Sequence, residues 1–591
     1  MAEPQSPLTL LFVPNLRADR GLGHLKRCLK AAATAGSGAG VLFSSEAALT
    51  SGKPVFSRSA VSGLAAEAGV RLVDSWPAEP VSTVVADLQA AGHDAFESLR
   101  SHAVRLIGWD EGGPARPRFP FLVDSLPHST APSPNVRLPG LLGLPAPKSE
   151  FSRPVERVLV VFGGADPAGL TNRFLKFALD LKAKGQWFYR ITVVRGPLAG
   201  FVVPSGVDEI LEAPADLASL LKDWDLTVTS WGITALESLA AGTPVLLFNP
   251  TAYHENLSRA AGLPSLGVRR VRTLLFRALL EDAPRAAREA APRLLGEPVG
   301  AGRYFAEYQG SDGFCPVCRT AGHPVFARTE HKSYHRCRCG MEYLSVHRLP
   351  PKQYSEAYFF EEYQKQYGKT YLDDFDHIQE LGRQRLHVLE RAFGHRPGRR
   401  IFDVGCAYGP FLAAAAAAGG QPFGLDVAEG AVAHVQGLGF RAVRASFTDF
   451  AWGRAFPDEP RPDVLTMWFV IEHFADLDTV LRRVNKTLPV GGIFAFSTPN
   501  GRGITRRFRP GKFWNESPDD HYSIWSRSNA RAALRRFGFA VKTFRVTGHH
   551  PERFPGVRPG GLRQFLVAPL SRWFGWGDTF EVYAVKTQEL T

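Results

Sequence analysis

The sequence predicts an α/β protein of three doubly wound blocks, with a small cysteine-rich module between the second and the third. Three observations predict it. Short β-rich runs alternate with alanine- and leucine-rich helical stretches, the pattern of parallel sheets with crossover helices. Two such blocks precede a window that holds four of the six cysteines, and one follows it. The 591 residues are enough for roughly three to five units of 100 to 200 residues each.

Composition narrows the class. Hydrophobic residues make up 45% and charged ones 21%, with 57 Gly and 44 Pro, which is globular and not low-complexity. No apolar run approaches the roughly 18 residues that span a bilayer. The opening Leu8-to-Val13 stretch follows Glu3 without a basic flank, so it reads as a buried strand and the chain as cytoplasmic. Contact with a membrane surface stays open. A net charge of +13 speaks to solubility and weak association with anions, and nucleic acid is not expected as a partner.

The first block, residues 1–145, supplies the strands LTLLFVPNL, GVLFSS, STVVADL and VRLIGWD. A Pro-rich segment from His128 to Pro154 reads as a linker. The second block, 146–308, restarts at Val155 with RVLVVFGG, FYRITVVRG, LTVTS and TPVLLFN, and the helical stretch Val271 to Leu295 closes it. Two consecutive blocks of this kind suggest a two-lobed enzyme with its ligand in the cleft. After the first strand, Gly21-Leu-Gly23-His24 forms a glycine turn running into a helix, with Arg27 and Cys28 beyond it. Such a turn accommodates phosphate or sugar at close range. The second block supplies Phe162-Gly-Gly164, Asp166, then Ser230-Trp231-Gly232-Ile-Thr234, Glu237, and His254-Glu255-Asn256.

In this order these pieces resemble the GT-B-like nucleotide-sugar family, which includes the UDP-sugar hydrolase of the pseudaminic acid pathway and the spore-coat polysaccharide proteins. The resemblance covers about residues 8–305, with Asp87 and Asp110 at positions where that family also carries acidic strand ends. It implies two Rossmann-like lobes and a nucleotide sugar, UDP-linked, held by Gly23, Gly164, Ser230, Gly232, Thr234, Glu237 and Asn256. Ser230, Gly232 and Thr234 would meet the diphosphate, Glu237 the ribose, and His24 would be the base activating water or a sugar hydroxyl. Hydrolysis and glycosyl transfer both remain open, and so does a module that binds the nucleotide sugar without reacting.

Cys315-Pro-Val-Cys318 and Cys337-Arg-Cys339, in the module 312–345, suit a tetrahedral structural zinc site of four thiolates. The CxC pair is stiffer than the usual CxxC, so either His335 replaces one cysteine or the knuckle is distorted. The window resembles the zinc ribbon that precedes some sugar-modifying methyltransferases.

The last block, 346–591, opens with an aromatic, charged helical stretch from Tyr354 to Phe393. Seven strands follow: RIFDVGC, QPFGLDV, FRAVRAS, DVLTMWFV, GIFAFSTP, FAVKTFRVTG and FEVYAVK. The first runs into Gly405-Cys-Ala-Tyr-Gly409, a tight turn where backbone can approach a ligand. The second ends at Asp426, where an acidic side chain accepts hydrogen bonds from ribose hydroxyls. With Met467-Trp-Phe-Val-Ile-Glu472-His473, Phe496-Ser-Thr-Pro-Asn500 and Asp519-Asp-His521-Tyr, these features resemble the class I S-adenosylmethionine-dependent methyltransferases, especially those acting on sugars and small hydroxylated metabolites. The resemblance implies that Asp403, Gly405, Ala407 and Gly409 surround the methionine part of the cofactor, that Asp426 holds the ribose, and that Ser446 and Phe447 lie near the adenine. His473 and His521 are candidate bases, because imidazole titrates near neutral pH. A basic run, Arg502, Arg506, Arg507, Arg509 and Lys512, is expected beside the acceptor pocket, where arginine forks would grip phosphates. Together the halves predict a bifunctional carbohydrate-biosynthesis enzyme that acts on a nucleotide sugar and methylates a sugar or glycoconjugate acceptor.

Overall fold

The computed structural model describes residues 7–18, 22–126, 132–144, 151, 154–164, 166–196, 199–214, 216–311, 313–347, 364, 368–394, 396, 398–558 and 562–590. Residues 19–21 of the first glycine turn, much of the Pro-rich linker and most of the stretch 354–367 lie outside them. The chain forms two compact units, Met1–Asp312 and Gly313–Thr591.

The N-terminal unit holds two parallel sheets. The first contains β1 (Leu10–Pro14), β2 (Ala39–Leu42), β3 (Arg71–Val73), β4 (Val81–Asp87), β5 (Ala103–Trp109), β6 (Phe121–Asp124) and β7 (Val136–Arg137), in the order β3-β2-β1-β4-β5-β6-β7. Leu10, Leu11, Phe12 and Val13 are all buried, as expected of a strand covered on both faces. The second contains β8 (Arg157–Val160), β9 (Arg190–Arg195), β10 (Glu209–Glu212), β11 (Leu226–Thr229) and β12 (Val245–Leu247), in the order β10-β9-β8-β11-β12.

The end of the second block does not stay with that block. After the helix Thr273–Leu295, the short helix Ala301–Ala306 joins the core of the first sheet. Phe305 meets Phe12 at 5.8 Å and Trp109 at 5.2 Å between ring centroids, and Tyr308 stacks on Phe121. A Cβ on Gly302 would collide with the Ala31 carbonyl, so only glycine permits this close helix approach.

In the C-terminal unit the cysteine module is a sheet of β13 (Val325–Arg328), β14 (Lys332–Arg336) and β15 (Glu342–Val346). It is completed by β21 (Ser523–Ile524) from late in the chain, through the pairs Glu342↔Ile524 and Tyr343↔Ser523. The module is therefore built into the large domain's own hydrogen bonding. That domain is a seven-stranded sheet of β16 (Arg400–Val404), β17 (Gln421–Asp426), β18 (Arg441–Arg444), β19 (Val464–Trp468), β20 (Ile493–Pro499), β22 (Phe539–Thr547) and β23 (Thr579–Lys586). Its order is β18-β17-β16-β19-β20-β23-β22, with β23 antiparallel to its neighbours. Alanine's high helix propensity accounts for the helix Pro410–Ala417 after β16. Among the described residues, no helix is long and apolar enough to cross a membrane.

Candidate active sites in the two units

Ligands of open α/β sheets bind outside the strands' carboxyl ends, where the strand order reverses. In the first sheet that point lies between β1 and β4, where Pro14 pairs with Asp87. The helix Gly23–Ala35 begins there. His24 Nδ1 lies 2.6 Å from Asp87 Oδ1. Asp87 is fully buried, and the Arg27 guanidinium donates to both its oxygens. Arg27 also reaches Asp110 Oδ2 at 2.7 Å, and Asp110 accepts the N–H groups of Ser125 and Leu126 at 2.8 Å each. Burial alone would raise the Asp87 carboxyl, but Arg27 and His24 together hold it below the usual carboxylate range. The loop that follows β4 is braced by Glu111, which accepts N–H groups from Leu88 at 2.6 Å and Ala91 at 3.0 Å; burial pushes its carboxyl up to about 8.

A Cβ added to Gly23 would lie 3.5 Å from Ile233, so the start of the His24 helix faces the start of the helix Ile233–Ala240. Ser230, Gly232 and Thr234 follow the carboxyl end of β11, and Asn249 pins this turn by accepting the Trp231 N–H at 3.0 Å. Glu237 sits one turn further, where burial raises its carboxyl and the Lys26 and Lys30 ammonium groups draw it back. The helix starts that carry Gly23 with His24 and Gly232 with Thr234 thus face each other, with Ser230 just before the second and Glu237 within it. Gly164 lies in the turn after β8, packed under Gly196. Asn256 is exposed on the helix Ala252–Ala261, while its neighbour Glu255 is buried against Asn249 and Ser265. Asp166 caps the helix Leu170–Ala183 through the N–H groups of Leu170 and Thr171.

In the C-terminal unit the order reverses between β16 and β19. Gly405, Ala407 and Gly409 all have positive φ, at 74°, 46° and 84°, so the turn is a left-handed hook that glycine favours at two of its three corners. Asp426, ending β17, holds that hook: Oδ2 accepts the Ala407 N–H and Oδ1 the Ala428 N–H, each at 2.9 Å. Each oxygen keeps a further acceptor position. Burial raises the Asp426 carboxyl. Asp403 is also buried and is pushed up to about 8, with the Thr466 hydroxyl donating to it at 2.6 Å and Arg385 opposing the rise. Ser446 is half-buried and hydrogen-bonded to Thr448. Phe447 is buried, its ring stacked with that of Phe450 in the aromatic core.

His473 and His521 come together, with ring centroids 4.7 Å apart and planes at 84°. His473 Nδ1 lies 3.2 Å from Asp520 Oδ2. Beside them stands Glu472, only 1% exposed, with neither carboxylate oxygen in a well-formed hydrogen bond; burial pushes it up to about 7, although the Thr498 hydroxyl lies near enough to ease the rise. The donor atoms of Glu472, His473 and His521 all lie within 4.8 Å of one another. Phe469, just ahead of them, has a φ of 57°, strained backbone of the kind that gathers at functional sites. Sequence reasoning quoted Glu472 and Asp520 within motifs but gave them no role, and did not single out Tyr371. The Tyr371 ring lies 6.0 Å from that of Tyr408 in the hook, and its hydroxyl is raised by burial and by the charges of Asp403 and Asp426. The aromatic run that contains it was the available signal.

The four cysteine sulfurs converge, with Cys315–Cys339 at 3.6 Å, Cys318–Cys337 at 3.4 Å and all four within 4.8 Å. A tetrahedral zinc with 2.3 Å bonds needs about 3.8 Å between sulfurs, so the donor set fits the metal. His335 is not among the donors. Its Nδ1 faces the His323 carbonyl at 3.1 Å, its Nε2 faces Ser345 at 2.9 Å, and its ring stacks on Tyr343.

The basic run is divided. Arg506 donates to Glu342 at 2.5 Å and lies over Trp514, and Lys512 lies 3.7 Å from Glu516. Arg507 lies over Trp576 and, with Arg502, faces a cavity, while Arg509 is exposed.

Residues 375–543 match the model of a methyltransferase domain family. The chain is 28% identical over 130 residues to a ubiquinone biosynthesis O-methyltransferase of Leptothrix cholodnii, covering 22% of this chain and 55% of that protein. It is 34% identical over 121 residues to the corresponding protein of Azorhizobium caulinodans, covering 19% and 48%. The chain therefore spans about half the length of the curated relatives it matches. Among solved structures, a SAM-dependent methyltransferase from Archaeoglobus fulgidus aligns with 38% of this chain and 98% of its own, at 16% identity and a TM-score of 0.29. The C-terminal region is a class I S-adenosylmethionine-dependent methyltransferase domain, by its matched family and its strand order.

Proposed function

We propose that the C-terminal unit binds S-adenosylmethionine at the Gly405–Gly409 hook and methylates a hydroxyl of a sugar or sugar-linked acceptor. The observation that carries this reading is Asp426. Its carboxylate, at the carboxyl end of the strand next to the reversal of strand order, is anchored by two backbone N–H groups and retains acceptor positions for a ribose diol. Bound cofactor supplies a methyl group on a sulfonium, open to in-line displacement. The protein's share is to hold the acceptor in line and take its proton. His473, held by Asp520, and His521 are the candidate bases. Buried Glu472 lies beside them. Zinc, held by Cys315, Cys318, Cys337 and Cys339, would fasten the ribbon and take no part in the reaction.

The N-terminal unit is read as a GT-B-like pair of lobes that binds a UDP-linked sugar in the cleft between His24 and Glu237. Asp87 is an acceptor, so it fixes the proton on His24 Nδ1 and leaves Nε2 to take one from water or a sugar hydroxyl. That pairing favours chemistry over binding alone. The test is mass spectrometry of products after incubation with nucleotide sugars and S-adenosylmethionine. A methylated sugar product, with UDP released, is expected. Release of free sugar identifies a hydrolase and a new glycosidic bond a transferase, while unchanged nucleotide sugars would defeat the reading of the first half.

A further inference from the structure

The methyltransferase sheet carries, at the same end as the cofactor hook, a cavity of about 470 Å³. That lies within the roughly 300 to 1,000 Å³ of small-molecule sites. Asn500, just past β20, marks its edge, and Pro499, Thr579 and Thr547 lie in register across β20, β23 and β22 beside it. Asp426 ends β17, three strands away from β20, so the cavity and Asp426 stand apart along the same edge of the sheet.

Four arginines line it: Arg502, Arg507, Arg527 and Arg531. No carboxylate does among the described residues. Among the described residues none of the four forms an ion pair, although carboxylates are at hand nearby: Arg553 takes Asp578, and Arg506 takes Glu342. Three of the cations are instead seated against uncharged surface. Arg507 lies 5.1 Å over Trp576 and Arg531 4.7 Å over Phe544, while Arg527 packs against Gly575, where a Cβ would come within 3.1 Å of its guanidinium. Aromatic faces stabilise cations and restrict the direction in which their N–H donors point. Four unneutralised guanidiniums around one cavity repel each other, and a multiply charged anion relieves that repulsion while matching the arginine fork bidentately.

We propose that this cavity is a subsite for a phosphate or diphosphate group carried by the methyl acceptor, whether from a nucleotide sugar or a lipid-linked sugar. The proposal rests on the methyl-transfer reading for its acceptor, but the anion site itself can be tested apart from it. The full-length protein is titrated calorimetrically with inorganic pyrophosphate, and separately with S-adenosylmethionine. The expected result is saturable pyrophosphate binding that Arg527→Gln with Arg531→Gln weakens by about tenfold or more, while cofactor affinity stays unchanged. Should the double glutamine variant fail to fold, Arg527→Lys with Arg531→Lys keeps the charge and removes the fork, and is expected to weaken pyrophosphate binding as well. Pyrophosphate binding that is absent, or equal in parent and variants that still bind cofactor, overturns the subsite. So does binding of phosphatidylglycerol vesicles that pyrophosphate does not displace, which would make the cations a lipid-facing surface. Loss of cofactor binding in the parent itself would instead defeat the methyl-transfer reading and leave the pyrophosphate result to decide the subsite. Methylation of a UDP-sugar against a polyprenyl-diphosphate sugar then separates the two sources.

Discussion

His24 and Asp87 meet at 2.6 Å through Nδ1 and Oδ1, and the same carboxylate holds the guanidinium of Arg27 three residues along the helix. One buried acid therefore orients both a candidate base and the cation that neutralises it. Loss of the base is expected to lower turnover of the nucleotide sugar by about 10²- to 10⁴-fold in His24→Ala, with nucleotide affinity unchanged. Steady-state kinetics beside calorimetry with UDP would check this, and an affinity loss without a rate loss would mark His24 as structural.

Asp426 serves two masters, the hook and the proposed ribose. Asp426→Ala is expected to weaken S-adenosylmethionine binding by about 1.5 to 3 kcal/mol for each charged hydrogen bond lost. It should also lower the melting temperature, because the Ala407 and Ala428 N–H groups lose their acceptor. Unaltered cofactor affinity in calorimetry would sink the assignment.

Purified protein is expected to carry about one zinc per chain, and Cys337→Ser to lose it, since thiolate sites couple metal binding to folding. The pairing of Tyr343 with Ser523 links the ribbon to the segment bearing His521. Metal removal should therefore slow methyl transfer with little change in cofactor affinity. Four freely titratable thiols in native, metal-free protein would remove zinc from this picture.

Glu472 gives a pH signature. Burial raises its folded pKa to about 7, above the ordinary value of 4.5, so the folded state binds the proton more tightly than the unfolded state. Stability is then full below about 4.5 and declines as the pH climbs towards 7. Glu472→Gln should flatten that decline in denaturant melts of the C-terminal unit between pH 5 and 8. Parallel curves for parent and variant would show that the carboxyl is not strained by its surroundings.

The long central strands were legible because they are apolar or nearly so: Leu10 to Val13 and Val158 to Val160 throughout, and Ile401 to Val404 but for Asp403, are all buried. The short edge strands Arg71–Val73, Glu209–Glu212 and Val136–Arg137 were not, since they carry little burial to pattern them. Candidate residues at strand ends and glycine turns could be named from local order alone. Their partners could not, because His24 and Asp87 are 63 positions apart and Arg506 and Glu342 are 164. Side-chain direction was not legible either: the strand-end position of Phe447 gave no sign that its ring packs into the aromatic core with Phe450.

The return of Ala301–Ala306 to the first sheet has a bearing on how the chain is made. Phe12 emerges early in synthesis, yet the ring that covers it, Phe305, emerges only after the whole second sheet. Until then the first lobe presents an uncovered aromatic surface around Phe12, Trp109 and Phe121, of the kind that invites aggregation and chaperone capture. The N-terminal unit can thus complete its core only as one piece, and a fragment ending before Ala301 would carry that surface permanently.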